Sequence, residues 1–283
     1  MKKLFFAAAA VCAFFLSLPL AADTPRGHLV IIGGGGTTES IRQRIVDYTG
    51  GENGTLLTIG TAGGEKAMES AEKAAANYTK AGIGHAVPID PTREECDDEK
   101  YVNKIMKGIT GVYFCGGLQK RIVKTIGGTL LHKRIMELYM DGGLVCGTSA
   151  GAAIMSNPMI SGKDLSGEKN KFVSVSSGRV DLTDGLGFVS NCIIDQHFLK
   201  RKRQNRLFST ILEHPRYMGI GIDEATSIVI SNGFDAEVVG RSSVTVMQAD
   251  REGIRTNSRG DFAGSFSLRF YIEGDTFRIP ETI

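Results

Sequence analysis

The sequence predicts an α/β protein with a doubly wound, mostly parallel sheet and antiparallel strands near the C-terminus. From residue 28 to residue 146, short apolar runs alternate with longer helical patterns, as in chains of βαβ units. Beyond residue 160, short strand patterns separated by turns replace that alternation. In a doubly wound sheet, ligands bind where the C-terminal ends of the strands meet.

The 283 residues are 42% hydrophobic, a composition that can build a globular core. Lys2 and Lys3 precede an apolar run over residues 4–18 and the small pair Ala21-Ala22, the order of a secretory signal peptide. A membrane anchor is the alternative, but roughly 20 apolar residues are needed to span a bilayer. We expect residues 1–22 to be a signal peptide, residues 23–283 to form one α/β domain, and the product to be periplasmic or extracellular.

Charge and cysteine content exclude some functions. Without Lys2 and Lys3 the chain has 31 basic and 31 acidic residues, so its surface as a whole is not expected to bind nucleic acid or an anionic membrane. The cysteines of the mature chain are Cys96, Cys115, Cys146 and Cys192. Most lie in or beside apolar runs, so we favour structural thiols over disulfides. Their spacing is not that of a zinc site.

The parallel strands come from the first half of the chain. Strands are predicted at 28–32, 54–59, 83–89, 111–115 and 143–146, and helices at 41–48, 65–81, 98–106, 118–126 and 130–140. Continuous apolar runs are typical of strands covered on both faces. The first strand enters Gly33-Gly34-Gly35-Gly36, which we interpret as a tight turn close to a ligand, without the ending of a phosphate loop.

The second half is predicted to carry shorter strands and one helix. Strands are expected at 172–175, 189–194, 220–223, 227–230, 236–239, 244–247 and 268–272, and the helix at 200–214. We find neither a linker nor an internal repeat, so an antiparallel extension of the same domain is the simplest arrangement.

Ser149 is the candidate nucleophile. The motif Gly147-Thr148-Ser149-Ala150-Gly151 follows an apolar strand, which predicts a sharp strand-to-helix turn with the serine at its corner. The N–H groups after the serine would lie at a helix N-terminus and could stabilise an oxyanion. The pattern also occurs by chance in a chain with 36 glycines, so the assignment depends on partners for Ser149.

His197 is the candidate base, because it directly follows the strand at 189–194 and has polar neighbours Asp195 and Gln196. The remaining histidines, His28, His85, His132 and His214, are expected to be structural or solvated. The base needs an orienting acid, and both Asp223 and Glu224 follow an apolar strand. Alternating side chains point to opposite faces, so only one of the two can face the site, and the pattern does not choose between them.

Five basic side chains lie within residues 200–206. One interpretation is the solvated face of a helix. The other is a site for substrate carboxylates, because Arg203 and Arg206 are three residues apart and guanidinium groups bind carboxylates bidentately. No aromatic series accompanies these charges, so a nucleic-acid site is not expected.

Together these motifs resemble the serine peptidase family S51, which contains cyanophycinase and the aspartyl dipeptidases (peptidase E). The resemblance runs from about residue 28 to the C-terminus. It rests on Gly-Gly-Gly-Thr near the start, Gly116-Gly117-Leu118-Gln119, the turn at Ser149, Asp195-Gln196-His197-Phe198 with its trailing arginines, and Gly221-Ile222-Asp223-Glu224-Ala225-Thr226. It implies a flavodoxin-like fold of the class I glutamine amidotransferase type.

The resemblance also implies roles at the matching positions. Ser149 would be the nucleophile, His197 the general base and Glu224 the orienting acid. The N–H groups of Gly117 and Ala150 would form the oxyanion hole. The substrate site would be lined by Gln119, Asp195, Gln196, Arg201, Arg203 and Arg206.

The implied activity is that of an exopeptidase on cyanophycin, a poly-aspartate with arginine on each β-carboxyl, releasing β-Asp-Arg dipeptides. The resemblance implies no metal or cofactor, and a homodimer. Two alternatives stay open: an aspartyl dipeptidase-like serine peptidase acting on other acidic peptides, and a non-catalytic protein that binds anionic ligands through Arg201, Arg203 and Arg206.

Overall fold

The computed structural model describes residues 24–167 and 171–281. The predicted signal peptide at residues 1–22 lies outside the described residues. Within the described ranges, no helix combines the length and apolar character that a membrane crossing requires.

The described chain forms sixteen strands and eight α-helices. The strands are β1 (His28–Ile32), β2 (Thr55–Ile59), β3 (His85–Ile89), β4 (Gly111–Phe114), β5 (Leu144–Thr148), β6 (Met159–Asp164), β7 (Val180–Thr183), β8 (Cys192–Gln196), β9 (Met218–Ile222), β10 (Thr226–Ser231), β11 (Asp235–Gly240), β12 (Val244–Ala249), β13 (Arg255–Thr256), β14 (Phe262–Ala263), β15 (Phe266–Tyr271) and β16 (Thr276–Arg278). The helices are α1 (Glu39–Thr49), α2 (Ala67–Lys80), α3 (Arg93–Asp97), α4 (Glu99–Ile105), α5 (Gln119–Ile126), α6 (Leu130–Met140), α7 (Ala150–Ala153) and α8 (Gln204–Glu213).

An eight-stranded main sheet has the order β3-β2-β4-β5-β1-β10-β11-β16. The first five of these strands are mutually parallel, and β10 pairs antiparallel with β1. Helices α1 and α2 cover one face, where Ile41, Ile45 and Tyr78 pack on the sheet. Helices α3 to α6 cover the other face. The doubly wound, mostly parallel α/β fold with antiparallel C-terminal strands is therefore confirmed.

A second sheet, which the sequence did not predict, has the order β15-β12-β9-β8. Its strands β8 and β9 are parallel, with Gln196 opposite Ile222. Apolar residues of β9 and β12 share a core with Ile228 and Val238 of the main sheet, while α8 packs on the outer face. The C-terminal ends of β8 and β9 therefore lie side by side, close to the C-terminal ends of β1 and β5.

The structure corrects several predicted elements. The segment 172–175 is not a strand, although Ser176 makes an isolated bridge with Asp261. The predicted helix at 200–214 begins only at Gln204, because residues 198–202 form a turn. The hairpin of β6 and β7 and helix α3 were not predicted. The four cysteines of the described chain are buried and free, as structural thiols would be.

Candidate active site

Ser149 occupies the corner between β5 and α7. Its backbone lies in the left-handed half of conformational space, with φ 55° and ψ −106°, a strained state held by the surrounding structure. The Ser149 N–H donates to the carbonyl of Ile32 at 3.0 Å, which ties the corner to the end of β1. The small residues Ala150, Gly151 and Ala152 that follow are buried. The predicted sharp turn is therefore present, and it fixes the serine at the edge of the main sheet.

His197 follows β8, and its imidazole reaches Ser149. The Nε2 atom lies 2.8 Å from Ser149 Oγ, and the side chain is 6% exposed. The residue has φ 49°, so the chain turns sharply as soon as the strand ends. Its N–H donates to Gly33 O at 2.7 Å. This backbone hydrogen bond joins the end of β8, in the second sheet, to the end of β1, in the main sheet, and so fixes the position of the imidazole.

Glu224 is the acid that faces His197, with Oε1 at 2.6 Å from Nδ1. Asp223 points elsewhere, where it accepts from Lys200 N and from Ser242 Oγ, both at 2.9 Å. The expectation that only one of the two acids can face the site agrees with this geometry. The carboxylate of Glu224 accepts a hydrogen bond from the Nδ1–H group of His197, which leaves Nε2 without a proton and able to accept a hydrogen bond from the serine hydroxyl.

The pKa of His197 is lowered from its ordinary value, chiefly by burial. The Glu224 carboxylate acts in the opposite direction, while the charges of Arg201 and Arg203 lower the pKa further. A lowered pKa keeps the imidazole neutral at mildly acidic pH. The neutral form is the one that can accept the serine proton.

The predicted glycine turn at residues 33–36 packs against the imidazole and the carboxylate. Gly34 has φ +105°, and a Cβ there would lie 2.2 Å from His197 Cε1 and 2.5 Å from Nε2. The carbonyl of Gly34 accepts from Ala225 N at 2.7 Å, directly after Glu224. The loop therefore positions both side chains, a role that the sequence pattern did not reveal.

Replacing Gly34 by alanine is expected to lower kcat by about 100-fold, because the new methyl group must displace the imidazole and a misplacement near 1 Å has that effect. The matched control is Gly36→Ala, which has a similar φ of +102° but no atom within 4 Å of its Cβ. Kinetics of both variants, with thermal unfolding to establish that each is folded, test the prediction. Equal losses in the two variants would contradict it.

Two N–H groups beside Ser149 are candidates for binding an oxyanion. Gly117 has φ +145°, and a Cβ there would meet Ala62 O at 2.2 Å, so only glycine fits. Within the described chain, the N–H groups of Gly117 and Ala150 make no hydrogen bond to another backbone carbonyl. Both donors are therefore free for the charge that develops when a serine attacks a carbonyl.

Asp195 and Arg206 form a buried ion pair behind the site. Arg206 Nε donates to Asp195 Oδ2 at 2.6 Å, and a second, shorter bond joins Nη2 to Oδ1. The two side chains are 0% and 5% exposed. This differs from the predicted direct contact with substrate, because each group is already satisfied by the other. The solvated-face interpretation is likewise wrong for Arg206.

Among the three arginines predicted to line the substrate site, Arg201 and Arg203 are more available to a ligand than Arg206. Arg203 donates to both the carbonyl and the side-chain oxygen of Gln196 at 2.7 Å. Burial, followed by the charge of Arg206, lowers the pKa of Arg203 to about 10. Arg201 is half-exposed, with Nε 4.0 Å from Glu224 Oε1. Arg203 Nη1 also lies 3.8 Å from Asp195 Oδ1, but that carboxylate makes shorter bonds to Arg206. Because the hydrogen bonds of Arg203 among the described residues all come from Nη1, its Nε and Nη2 donors stay available to a ligand carboxylate.

Gln119 lies at the start of α5 and is buried. Its side-chain nitrogen donates to the carbonyls of Ile160 and Ser161 at 3.0 and 3.2 Å. The side chain therefore holds β6 beside the site, and its amide nitrogen is not free for substrate. Residues 24–167 and 171–281 contain no group of three or more His, Cys, Asp or Glu side chains placed to hold a metal ion.

A serine hydroxyl, an imidazole and a carboxylate joined in this order, at the C-terminal edge of a parallel α/β sheet, are the arrangement that serine hydrolases use. The chain belongs to Peptidase family S51, whose family model matches residues 29–237. It is therefore a peptidase by family, as the sequence motifs predicted.

Similar proteins agree with this family. The chain is 30% identical over 258 residues to a cyanophycinase of Geminocystis herdmanii, a match that covers 88% of this chain and 92% of the relative. It is 36% identical over 156 residues to a cyanophycinase of Trichormus variabilis, and this match covers 55% of this chain and 50% of the relative. Among solved structures, a peptidase from an acI-B1 actinobacterium has the same fold, with TM-score 0.65, 22% identity, and coverage of 90% of this chain and 98% of that one.

Proposed function

We propose that this protein is a serine-type exopeptidase that hydrolyses cyanophycin or similar β-aspartyl-containing peptides and releases β-Asp-Arg dipeptides. The observation that carries the proposal is the continuous hydrogen-bonded chain from Ser149 through His197 to Glu224. The relatives described as cyanophycinases support the substrate class.

In the proposed mechanism, Ser149 Oγ attacks the scissile carbonyl while His197 Nε2 takes its proton. The N–H groups of Gly117 and Ala150 bind the oxyanion of the tetrahedral intermediate. The imidazolium then donates its proton to the leaving amine as the carbon–nitrogen bond breaks. Water, deprotonated by His197, hydrolyses the acyl-enzyme and frees Ser149.

The charge of the site supports a substrate that carries free carboxylates. The Asp195–Arg206 pair is internally neutral, whereas Arg201 and Arg203 add positive charge beside Glu224. In cyanophycin the β-carboxyl of each aspartate is used to bind arginine, so the free carboxylate near the scissile bond belongs to that arginine. Arg203, with its planar fork of donors, suits such a carboxylate.

The proposal is tested by incubating the purified protein with insoluble cyanophycin and measuring soluble β-Asp-Arg by mass spectrometry. Release of dipeptide is expected. The alternative, an aspartyl dipeptidase-like enzyme, predicts an inert polymer and cleavage of α-Asp-X dipeptides. A binding protein of the same fold predicts that neither substrate is cleaved.

The pH profile gives a separate prediction. Because burial and the nearby arginines lower the pKa of His197, kcat/KM is expected to fall only below the ordinary histidine value of about 6.5. Arg201→Ala removes one of the positive charges that lower the pKa of His197, so the acidic limb of the profile should move to higher pH. Lys200→Ala is the control, because it removes a nearby exposed cation. The profile of kcat/KM against pH measures this. A limb that moves equally in both variants, or not at all, would contradict the prediction.

Export and self-association are two further parts of the proposal. The pattern of residues 1–22 supports export to the periplasm or exterior, which cell fractionation tests. The resemblance supports a homodimer, which light scattering coupled to size-exclusion chromatography tests.

A further inference from the structure

A polar cleft opens beside the candidate active site, on the face of the main sheet that α1 and α2 cover. Its inner part, about 240 Å³, is lined by Thr37, Lys73, Asn77 and Gly116, among others. Its outer part, about 480 Å³, shares Thr37 and Asn77 and continues to Lys80. Because the two parts share these lining residues, they are adjacent, and we call them together the α2 cleft.

The inner end of the α2 cleft lies next to the nucleophile. A Cβ on Gly116 would be 3.4 Å from Ser149 Cβ, so the cleft wall and the corner serine are in contact distance. Tyr113 also lines the inner part, and it lies in β4, which pairs with β5, the strand that leads into Ser149. The wall of the inner part therefore lies close to the nucleophile.

The α2 cleft presents positive charge in both parts, with Lys73 in the lining of the inner part and Lys80 in the lining of the outer part. Lys73 and Lys80 are exposed, and neither is among the ion pairs of the described residues, whereas Arg42 is paired with Glu39. Lys73 and Lys80 lie seven positions apart on α2, with Asn77 between them, so all three share one face. The rise of an α-helix separates the two lysines by about 10 Å along the axis, roughly the length of three residues of extended peptide.

We propose that the α2 cleft is an additional substrate-binding site, which receives free carboxylates on the part of an acidic peptide that lies beyond the scissile bond. This rests on the proposed function, because it places the reacting carbonyl at Ser149. Lys73 and Lys80 would bind carboxylates as point charges, and Asn77 would supply a hydrogen-bonding side chain between them. The ligand class is a polymer with repeated carboxylates, and a single dipeptide is too short to reach it.

The test compares the double variant Lys73→Ala/Lys80→Ala with the native enzyme on two substrates, a long synthetic β-Asp-Arg oligomer and a short one that contains a single scissile bond. For the long oligomer, KM is expected to rise about fivefold, because each exposed charge pair is individually weak, while kcat stays unchanged. The short substrate should be unaffected, and the difference should shrink at high salt. The control is Lys104→Ala/Lys107→Ala, which removes two exposed lysines at and just beyond α4 on the opposite face of the sheet.

Binding separates this inference from the proposed function. A fluorescein-labelled oligomer is titrated by anisotropy into Ser149→Ala, with and without the two lysine substitutions. If the native enzyme fails to cleave the oligomer but binding weakens when the lysines are removed, the proposed function is wrong and the cleft stands. If cleavage occurs with an unchanged KM in the lysine variant, or if no binding is seen at all, the inference is overturned.

Discussion

Ser149→Ala is expected to abolish dipeptide release, with kcat lower by about 10⁴-fold or more, because the removed hydroxyl is the attacking group and such groups act as a unit with their base. The hydroxyl lies 2.8 Å from His197 Nε2, and the alanine keeps the Cβ that the strained corner already accommodates. The change therefore removes chemistry with little effect on the fold. Release of β-Asp-Arg from cyanophycin measures the loss.

Two observations make this prediction specific. A fluorophosphonate probe should label the native protein and fail to label Ser149→Ala, since it reacts only with an activated serine. The control is Ser265→Ala, an exposed serine whose hydroxyl contacts Asp250, which should keep full activity and labelling. Native-like release by Ser149→Ala would exclude this residue as the nucleophile and reopen the non-catalytic alternative.

The main sheet could be predicted because its signals are local. Each parallel strand is a continuous apolar run, and each is followed by a helical pattern, so the order of elements is visible within short windows. The second sheet could not be predicted in this way. Strands β8 and β9 pair although α8 separates them in the sequence, and β12 and β15 pair although residues 250–265 separate them. Periodicity marks a strand but carries no information about its distant partner.

In the candidate site, too, local features could be predicted and contacts between distant segments could not. The corner at Ser149 and the position of His197 after a strand are local features, and alternation limited the acid to one of two neighbours. What escaped prediction depends on packing between distant segments. Gly34 touches the imidazole because β1 and β8 end side by side. Arg206 is buried because α8 lies on β8 and brings it to Asp195, whereas its sequence neighbours suggested a solvated or ligand-facing charge.

Asp195→Asn is expected to lower the free energy of unfolding by about 3–5 kcal/mol, because removing one partner of a buried ion pair leaves the other charge uncompensated. Here the stranded group would be the guanidinium of Arg206, whose side chain is 5% exposed. Asp195 lies in β8, two residues before His197, so kcat is expected to fall as well. Urea unfolding monitored by circular dichroism measures the stability change.

The matched control is the exposed ion pair of Arg26 and Asp141, whose side chains are 72% and 76% exposed. Asp141→Asn should change the unfolding free energy by less than about 1 kcal/mol, because solvent screens such pairs. The double variant Asp195→Asn/Arg206→Met should recover part of the loss, since it leaves no unpaired charge in the interior. If Asp195→Asn changed the free energy of unfolding as little as Asp141→Asn, the buried ion pair would not stabilise the fold. The predicted role of Asp195 and Arg206 in binding substrate would then be the remaining explanation.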